Sequence, residues 1–150
     1  MKARIAPNIF YQQQSQLTQG LIDSDKAAYD SGLNIALLNL LKIRASQING
    51  CAFCLHMHNS EARSAGEKQE RLDILSAWRE TPYFTDQERA ALAWCEALTA
   101  CSSKELSDEL YELLTELFSE TEIVSLTSVI VTINSWNRIV AAMRFIPDIN

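Results

Sequence analysis

From Leu33 to Ile48 the chain reads "LNIALLNLLKIRASQI", with apolar residues on nearly every side of a helical wheel. A helix of that kind is expected to be covered all round. Gly50 ends or interrupts it, and a second helix is predicted from Cys51 to Ala65, stopping at Gly66, a residue suited to the left-handed position that closes a helix. The leading segment, Asn8 to Ile22, is Gln-rich with sparse apolar anchors and is read as a helix. "GLIDSDKAAYDSG", Gly20 to Gly32, reads as a connection holding a helical turn at most. Further on, "EKQERLDILSAW" predicts a short helix, followed by a loop around Pro82.

Three capping-box spacings then appear: Thr85 with Glu88, Ser102 with Glu105, and Ser119 with Glu122. In such a box the two side chains satisfy free amides at a helix start. After the second, Leu110, Leu113, Leu114, Leu117 and Phe118 form the stripe of an amphipathic helix. The last segment, Glu120 to Phe145, is long and apolar on several faces. Its centre, "VSLTSVIVTIN", is β-branched, but no turn signal interrupts it and it outlasts an ordinary strand. The pattern therefore predicts an all-α fold of six to seven helices in one domain, residues 1–150. A final helix that is apolar on several sides also predicts a homo-oligomer.

Composition narrows the class. A formal net charge of −6 argues against nucleic-acid binding, which needs a concentrated basic face. "MKARIAPNIFYQQQ" lacks the apolar core of a signal peptide, and no run reaches eighteen consecutive apolar residues. A cytoplasmic protein with no membrane partner is expected. Four cysteines without an export signal do not suggest a secreted disulfide scaffold. Cys95 and Cys101 read as small buried hydrophobes.

The chemistry concentrates in "INGCAFCLHMHNSEA", Ile48 to Ala62. At about 100° per residue, Cys54 and His58 lie about 300° and 340° round the wheel from Cys51, on one face. His56, at about 140°, lies on the other. A C-x-x-C pair at a helix N-terminus brings two sulfurs within bonding range, and free amides there favour a thiolate. His58 is placed to take or return a proton. Thiolate attack on a peroxide leaves a sulfenic acid, which the second cysteine captures as a disulfide. Two other readings stay open: a zinc or sensor module using Cys51, Cys54 and His58, which is short of a fourth ligand, and buried cysteines beside an incidental histidine.

"KIRASQINGCAFCLHMHNSEARSAGE" resembles the core of the AhpD-like proteins in the carboxymuconolactone decarboxylase superfamily. The similarity continues through "LDILSAWRETPYFTDQERAALAWCEALT" and "INSWNRIVAAMRF", so it covers roughly Leu33 to Phe145. Superfamily members with decarboxylase activity generally lack the cysteine pair, so Cys51 and Cys54 favour the peroxidase-related branch. The resemblance implies an all-helical fold, trimers or hexamers, and thiol-dependent hydroperoxide reduction without metal, haem or flavin. It implies that Cys54 attacks the peroxide and that Cys51 resolves the sulfenic acid and meets the reductant. That reductant would be an external dithiol such as a lipoyl group on a partner protein. His58 would serve the proton relay. A thiol–disulfide exchange protein with incidental peroxidase activity is the alternative.

Two positions depart from the family pattern. Asn39 stands where the relay often has a glutamate, and an amide can orient His58 but not take its proton. Glu61, at about 280° on the helical face of His58, is a candidate substitute, although solvated helix glutamates are common. Glu96 is a second, less definite candidate. Phe53 stands where relatives carry a histidine between the cysteines. Trp78, Trp94 and Trp136 read as core or interface aromatics, Lys42 and Arg44 as solvated charges, and Arg138 as a partner for an acid across a subunit interface.

Overall fold

The computed structural model describes residues 1–103 and 105–149. Among these are eight α-helices: α1 Pro7–Gln13, α2 Ser15–Asp30, α3 Ile35–Ile48, α4 Ala52–Ser64, α5 Gln69–Ile74, α6 Asp86–Thr99, α7 Asp108–Leu117 and α8 Glu120–Met143. A 3-10 helix, Leu75–Glu80, follows α5, and no strand occurs among the described residues. The fold is all-α as the patterning predicts, with more helices than expected.

The extra pieces have local causes. α1 and α2 part at Gln14, whose φ of −120° and ψ of 48° are not helical. α2 then runs through Gly20 to Asp30, so the connection expected from Gly20 to Gly32 is a helix instead. Its packing along α8 outweighs the helix cost of one glycine, and the chain turns only at Gly32, where φ is +84°. The helix expected from Glu67 to Trp78 divides at Ile74, with φ of −99° and ψ of 1°, into α5 and a 3-10 helix that is itself kinked at Ala77.

Both outer capping boxes form, at Thr85 with Glu88 and at Ser119 with Glu122. The middle one does not. Ser102 lies in an exposed turn, Glu105 lies outside any helix, and α7 starts six residues later than Ser102 with Ser107 as its cap. Ser107 also opens an acidic first turn, Asp108 and Glu109, which suits the positive end of the helix dipole.

α3 is the central helix, packed against α4, α6 and α8. Leu38, Leu40, Leu41 and Ile43 are fully buried, which explains why this segment shows no polar face. From α8, Leu126, Ile130 and Ile133 close the same core. α8 is long and apolar enough to cross a membrane by length and composition alone, with a mean hydropathy of 1.2. Here it is packed against α2, α3, α6, α4 and α7. Val124 and Val131 remain exposed on it.

Polar groups on α8 fasten the corner between α3 and α4. Asn49, which ends α3, donates through Nδ2 to Asn134 Oδ1 and Asn137 Oδ1, both at 2.9 Å. Asn137 in turn donates to Ser46 Oγ at 3.0 Å, and Asn134 to Thr99 Oγ1 at 3.0 Å. Buried amides are tolerated because each finds a partner. The result pins the turn at Asn49 and Gly50 between two helices.

Candidate active site

Gly50 leaves α3 in the left-handed region, with φ of +65°, a conformation open to glycine at no steric cost. The chain therefore reverses at once, and the Cys51 amide donates back to the Ser46 carbonyl at 3.0 Å. Cys51 becomes the N-cap of α4, and its sulfur accepts the Cys54 amide at 3.3 Å. One turn of helix brings Cys54 alongside, with Cα atoms 5.3 Å apart, and the two form a disulfide. Both cysteines are buried.

His58, one turn beyond Cys54, is also buried, and its Nδ1 lies 2.8 Å from Glu61 Oε2. The hydrogen bond with His58 holds the Glu61 carboxyl below its ordinary pKa, against partial burial and with help from the Lys42 charge. An ionised carboxylate only accepts, so Nδ1 carries the proton and Nε2 is left as the basic nitrogen. His56 points away to the exposed side of α4.

Asn39 is placed elsewhere. It is buried on α3 and accepts a long hydrogen bond, 3.5 Å, from the Tyr29 hydroxyl, so the His58 ring pairs with Glu61 rather than with the amide. Tyr29 also accepts from Lys42 Nζ at 3.3 Å. Lys42 is not the solvated charge expected. It is buried, with its ammonium 2.8 Å from Asp25 Oδ1 and over the Tyr29 ring. That contact with Asp25 is an ion pair rather than a well-directed hydrogen bond. The helix periodicity could not show this, because α2 supplies Asp25 from a segment read as a connection.

Arg44 is likewise paired rather than solvated, its Nε lying 2.8 Å from Glu96 Oε1. Glu96 also accepts from Trp78 Nε1 at 2.9 Å and from Arg79. Burial disfavours its charge, but hydrogen bonds from Trp78, Arg79 and Arg44 together lower its pKa. It is thus a structural acid that lines neither cavity at the disulfide, and its candidacy for the relay ends there. Arg138 donates to the Asn134 carbonyl and side chain within α8, at 2.8 and 2.9 Å.

Cys54 and His58 open onto a cavity of about 470 Å³. Its wall is mostly apolar, from Tyr11, Phe53, Met57, Trp136 and Val140. Trp136 is therefore a cavity aromatic, set edge-on to Tyr11 at 6.3 Å, whereas Trp78 and Trp94 are core. The polar side comes from Thr18, Asp25 and His58, and the Thr18 hydroxyl is buried with no protein partner. Thr18 and Asp25 were not foreseen. Their only sequence signal is two polar residues seven apart, two helical turns, on α2. No three His, Cys, Asp or Glu side chains among the described residues are grouped to hold a metal ion.

Cys95 is buried on α6, where burial pushes its thiol up to about 12. Cys101 is exposed in the turn after α6, contrary to its expected burial, because the helix has ended at Thr99.

The sequence model of the carboxymuconolactone decarboxylase family matches residues 16–97. The chain is 44% identical to the uncharacterised Bacillus subtilis (strain 168) protein YdfG over 123 residues, 82% of this chain and 84% of that one. A crystal structure from Agrobacterium tumefaciens, a protein of unknown function provisionally assigned as the antioxidant defence protein AhpD, superposes with a TM-score of 0.92. It is 36% identical, over 99% of this chain and 100% of the other. An uncharacterised peroxidase-related protein of Ralstonia eutropha JMP134, with an alkylhydroperoxidase AhpD core, shares the fold at a TM-score of 0.80. It is 18% identical over 96% of this chain and 78% of its own.

Proposed function

The chain belongs to the carboxymuconolactone decarboxylase family, with the AhpD-like fold, and we propose that it is a thiol-dependent hydroperoxidase. The observation that carries this reading is the disulfide between Cys51 and Cys54, with Cys54 and His58 on one cavity. In the reduced protein, His58 Nε2 takes the Cys54 thiol proton while Glu61 stabilises the resulting imidazolium. The Cys54 thiolate attacks the terminal peroxide oxygen, the O–O bond breaks, and the alcohol departs with a proton from His58. Cys54 is then a sulfenic acid. The Cys51 sulfur displaces its oxygen as water and closes the disulfide. An external dithiol, such as a lipoyl group on a partner protein, returns both cysteines to thiols.

The cycle needs no cofactor or metal, in keeping with a cytoplasmic antioxidant enzyme. A homo-oligomer, trimer or hexamer, accords with the apolar side chains left open at Ile35, Val124 and Val131. Asn39 acts on the Lys42 side rather than in proton transfer.

One titration tests the reading. Reduced protein is mixed with one equivalent of cumene hydroperoxide, and thiols are counted and mapped. The expected result is rapid closure between Cys51 and Cys54, a trapped sulfenic acid in Cys51→Ser, and no reaction in Cys54→Ser. Slow, indiscriminate oxidation of all four cysteines would refute it. Dithiol reduction of the disulfide without any hydroperoxide reaction would leave a thiol–disulfide exchange protein.

A further inference from the structure

The two cysteines of the disulfide line different cavities. Cys54 lines the cavity that holds His58, Asp25 and Thr18, whereas Cys51 lines a second cavity of about 430 Å³. Only Phe53 and Val140 contribute to both, so these two side chains are the partition between them. Phe53 is braced edge-on against Phe145, with ring centroids 6.1 Å apart. The second cavity is bordered by Gly50 and Ala52 on one side and by Ala141, Arg144 and Ile146 on the other. Its outer rim is tied down where Arg4 donates from its backbone to the Met143 carbonyl and from its guanidinium to the Ala142 carbonyl, both at 2.9 Å.

We propose that the second cavity is the entry for the reducing dithiol, so that peroxide and reductant reach opposite ends of one disulfide by separate routes divided by Phe53. This rests on the hydroperoxidase reading for the identity of the first route. Thiol–disulfide exchange requires the attacking sulfur to approach along the S–S axis, from the side away from the leaving sulfur. Attack on Cys51 therefore comes from the second cavity, and attack on Cys54 from the first. The second cavity has Arg144 on its lining, which attracts an incoming thiolate, whereas the Asp25 carboxylate in the first is already paired with Lys42.

The exchange balances. One thiolate of the dithiol attacks Cys51 Sγ, the bond between Cys51 and Cys54 breaks, and Cys54 leaves as a thiolate on the His58 side. The second thiol of the reductant displaces Cys51 from the mixed disulfide. The reductant departs as its own cyclic disulfide, and its two protons end on Cys51 and Cys54. The order matters for turnover, because Cys54 is released as the nucleophile already beside its base and its substrate cavity. Phe53, in a position where a polar residue would wet the partition, keeps the two compartments apart.

The test separates the two half-reactions in the full chain by acid quench, alkylation and mass spectrometry. Reduction of the oxidised protein is measured with dihydrolipoamide, and oxidation of the reduced protein with cumene hydroperoxide. Ala141→Trp fills the second cavity from an exposed position on α8 and is expected to slow reduction about tenfold with oxidation within about twofold of wild type. Ile22→Trp, at the exposed mouth of the first cavity, is expected to do the reverse. Ile146→Trp on the tail side repeats the first result if Ala141→Trp disturbs folding by thermal melt. If either Trp slows both half-reactions equally, or neither slows its own, the separate routes are disproved. If wild type fails to react with cumene hydroperoxide, the hydroperoxidase reading falls. Reduction then still decides the entry, because only the Ala141 and Ile146 variants should impair it.

Discussion

The chain carries two pairs of nearby cysteines, and although Cys51, Cys54 and Cys95 are all buried, the two pairs differ in helix position and in polar neighbours. Cys51 and Cys54 sit at a helix start, one turn apart, with a positive-φ glycine before them and a carboxylate-held histidine after them. Cys95 lies inside α6 with its sulfur against the Leu41 carbonyl, and Cys101 lies in the turn beyond it. Spacing alone does not separate the pairs completely, since six residues can also bring side chains together across a turn. The environments do. A helix N-terminus favours a thiolate, whereas full burial among apolar neighbours pushes the Cys95 thiol up to about 12. The proposed reactivity belongs to the corner that the Asn49, Asn134 and Asn137 network pins, not to cysteine as a residue type.

That contrast can be broken at its strongest point first. His58→Ala should slow hydroperoxide-driven disulfide closure about a hundredfold, the lower end of what a positioned base contributes. Cys95→Ala should leave that rate within about twofold, because no proton moves through the buried thiol. A His58→Ala variant reacting at the wild-type rate would erase the distinction. Glu61→Gln is expected to cost about tenfold and to abolish the loss of rate that wild type shows in acid as the Glu61 carboxylate, held below its ordinary pKa by His58, takes up a proton. A merely structural glutamate would leave the pH profile in place.

The next test addresses the scaffold under the reactive pair. Asn137→Ala removes an acceptor from the half-buried Asn49 and a donor from the buried Ser46. Chemical denaturation should show about 2 kcal/mol lost. The Cys51 and Cys54 pair should also close more slowly, as the turn loosens.

The smallest effect is at the α6 side, and its pH sign follows from Glu96. That carboxyl is held below its ordinary value in the fold, so its contribution is present above the unfolded pKa near 4.5 and is lost as pH falls through the lower folded value. Glu96→Gln should therefore be less stable than wild type at pH 7 by about 1–2 kcal/mol, with the gap closing in acid. Equal denaturation midpoints at pH 7 would mean that the Arg44, Arg79 and Trp78 contacts contribute nothing net.

Much of the site could be read without coordinates because it is local. Cys51, Cys54, His58 and Glu61 lie within eleven residues on one helix, and helical geometry alone brings them to one side. The buried character of α3 and the two outer capping boxes are legible for the same reason. The misread parts depended on partners far along the chain. Lys42 looked solvated until Asp25 approached from α2, and Arg44 until Glu96 approached from α6. The α7 start went to Ser107 rather than Ser102, since two serine caps with acidic followers compete there and only one precedes the apolar stripe closely enough.

By itself, then, the sequence determined the helical class and placed Cys51, Cys54, His58 and Glu61 on one side of one helix, because periodicity and capping act over one or two turns. Only the tertiary structure decided that Cys54 and Cys51 line separate cavities, that Phe53 and Val140 border both, and that Thr18 and Asp25 line the first. Those arrangements come from α2, α8 and the residues after α8 meeting α4, with contacts more than twenty residues apart in sequence. No local pattern encodes such an encounter. It is set by which buried faces fit together once the helices have formed.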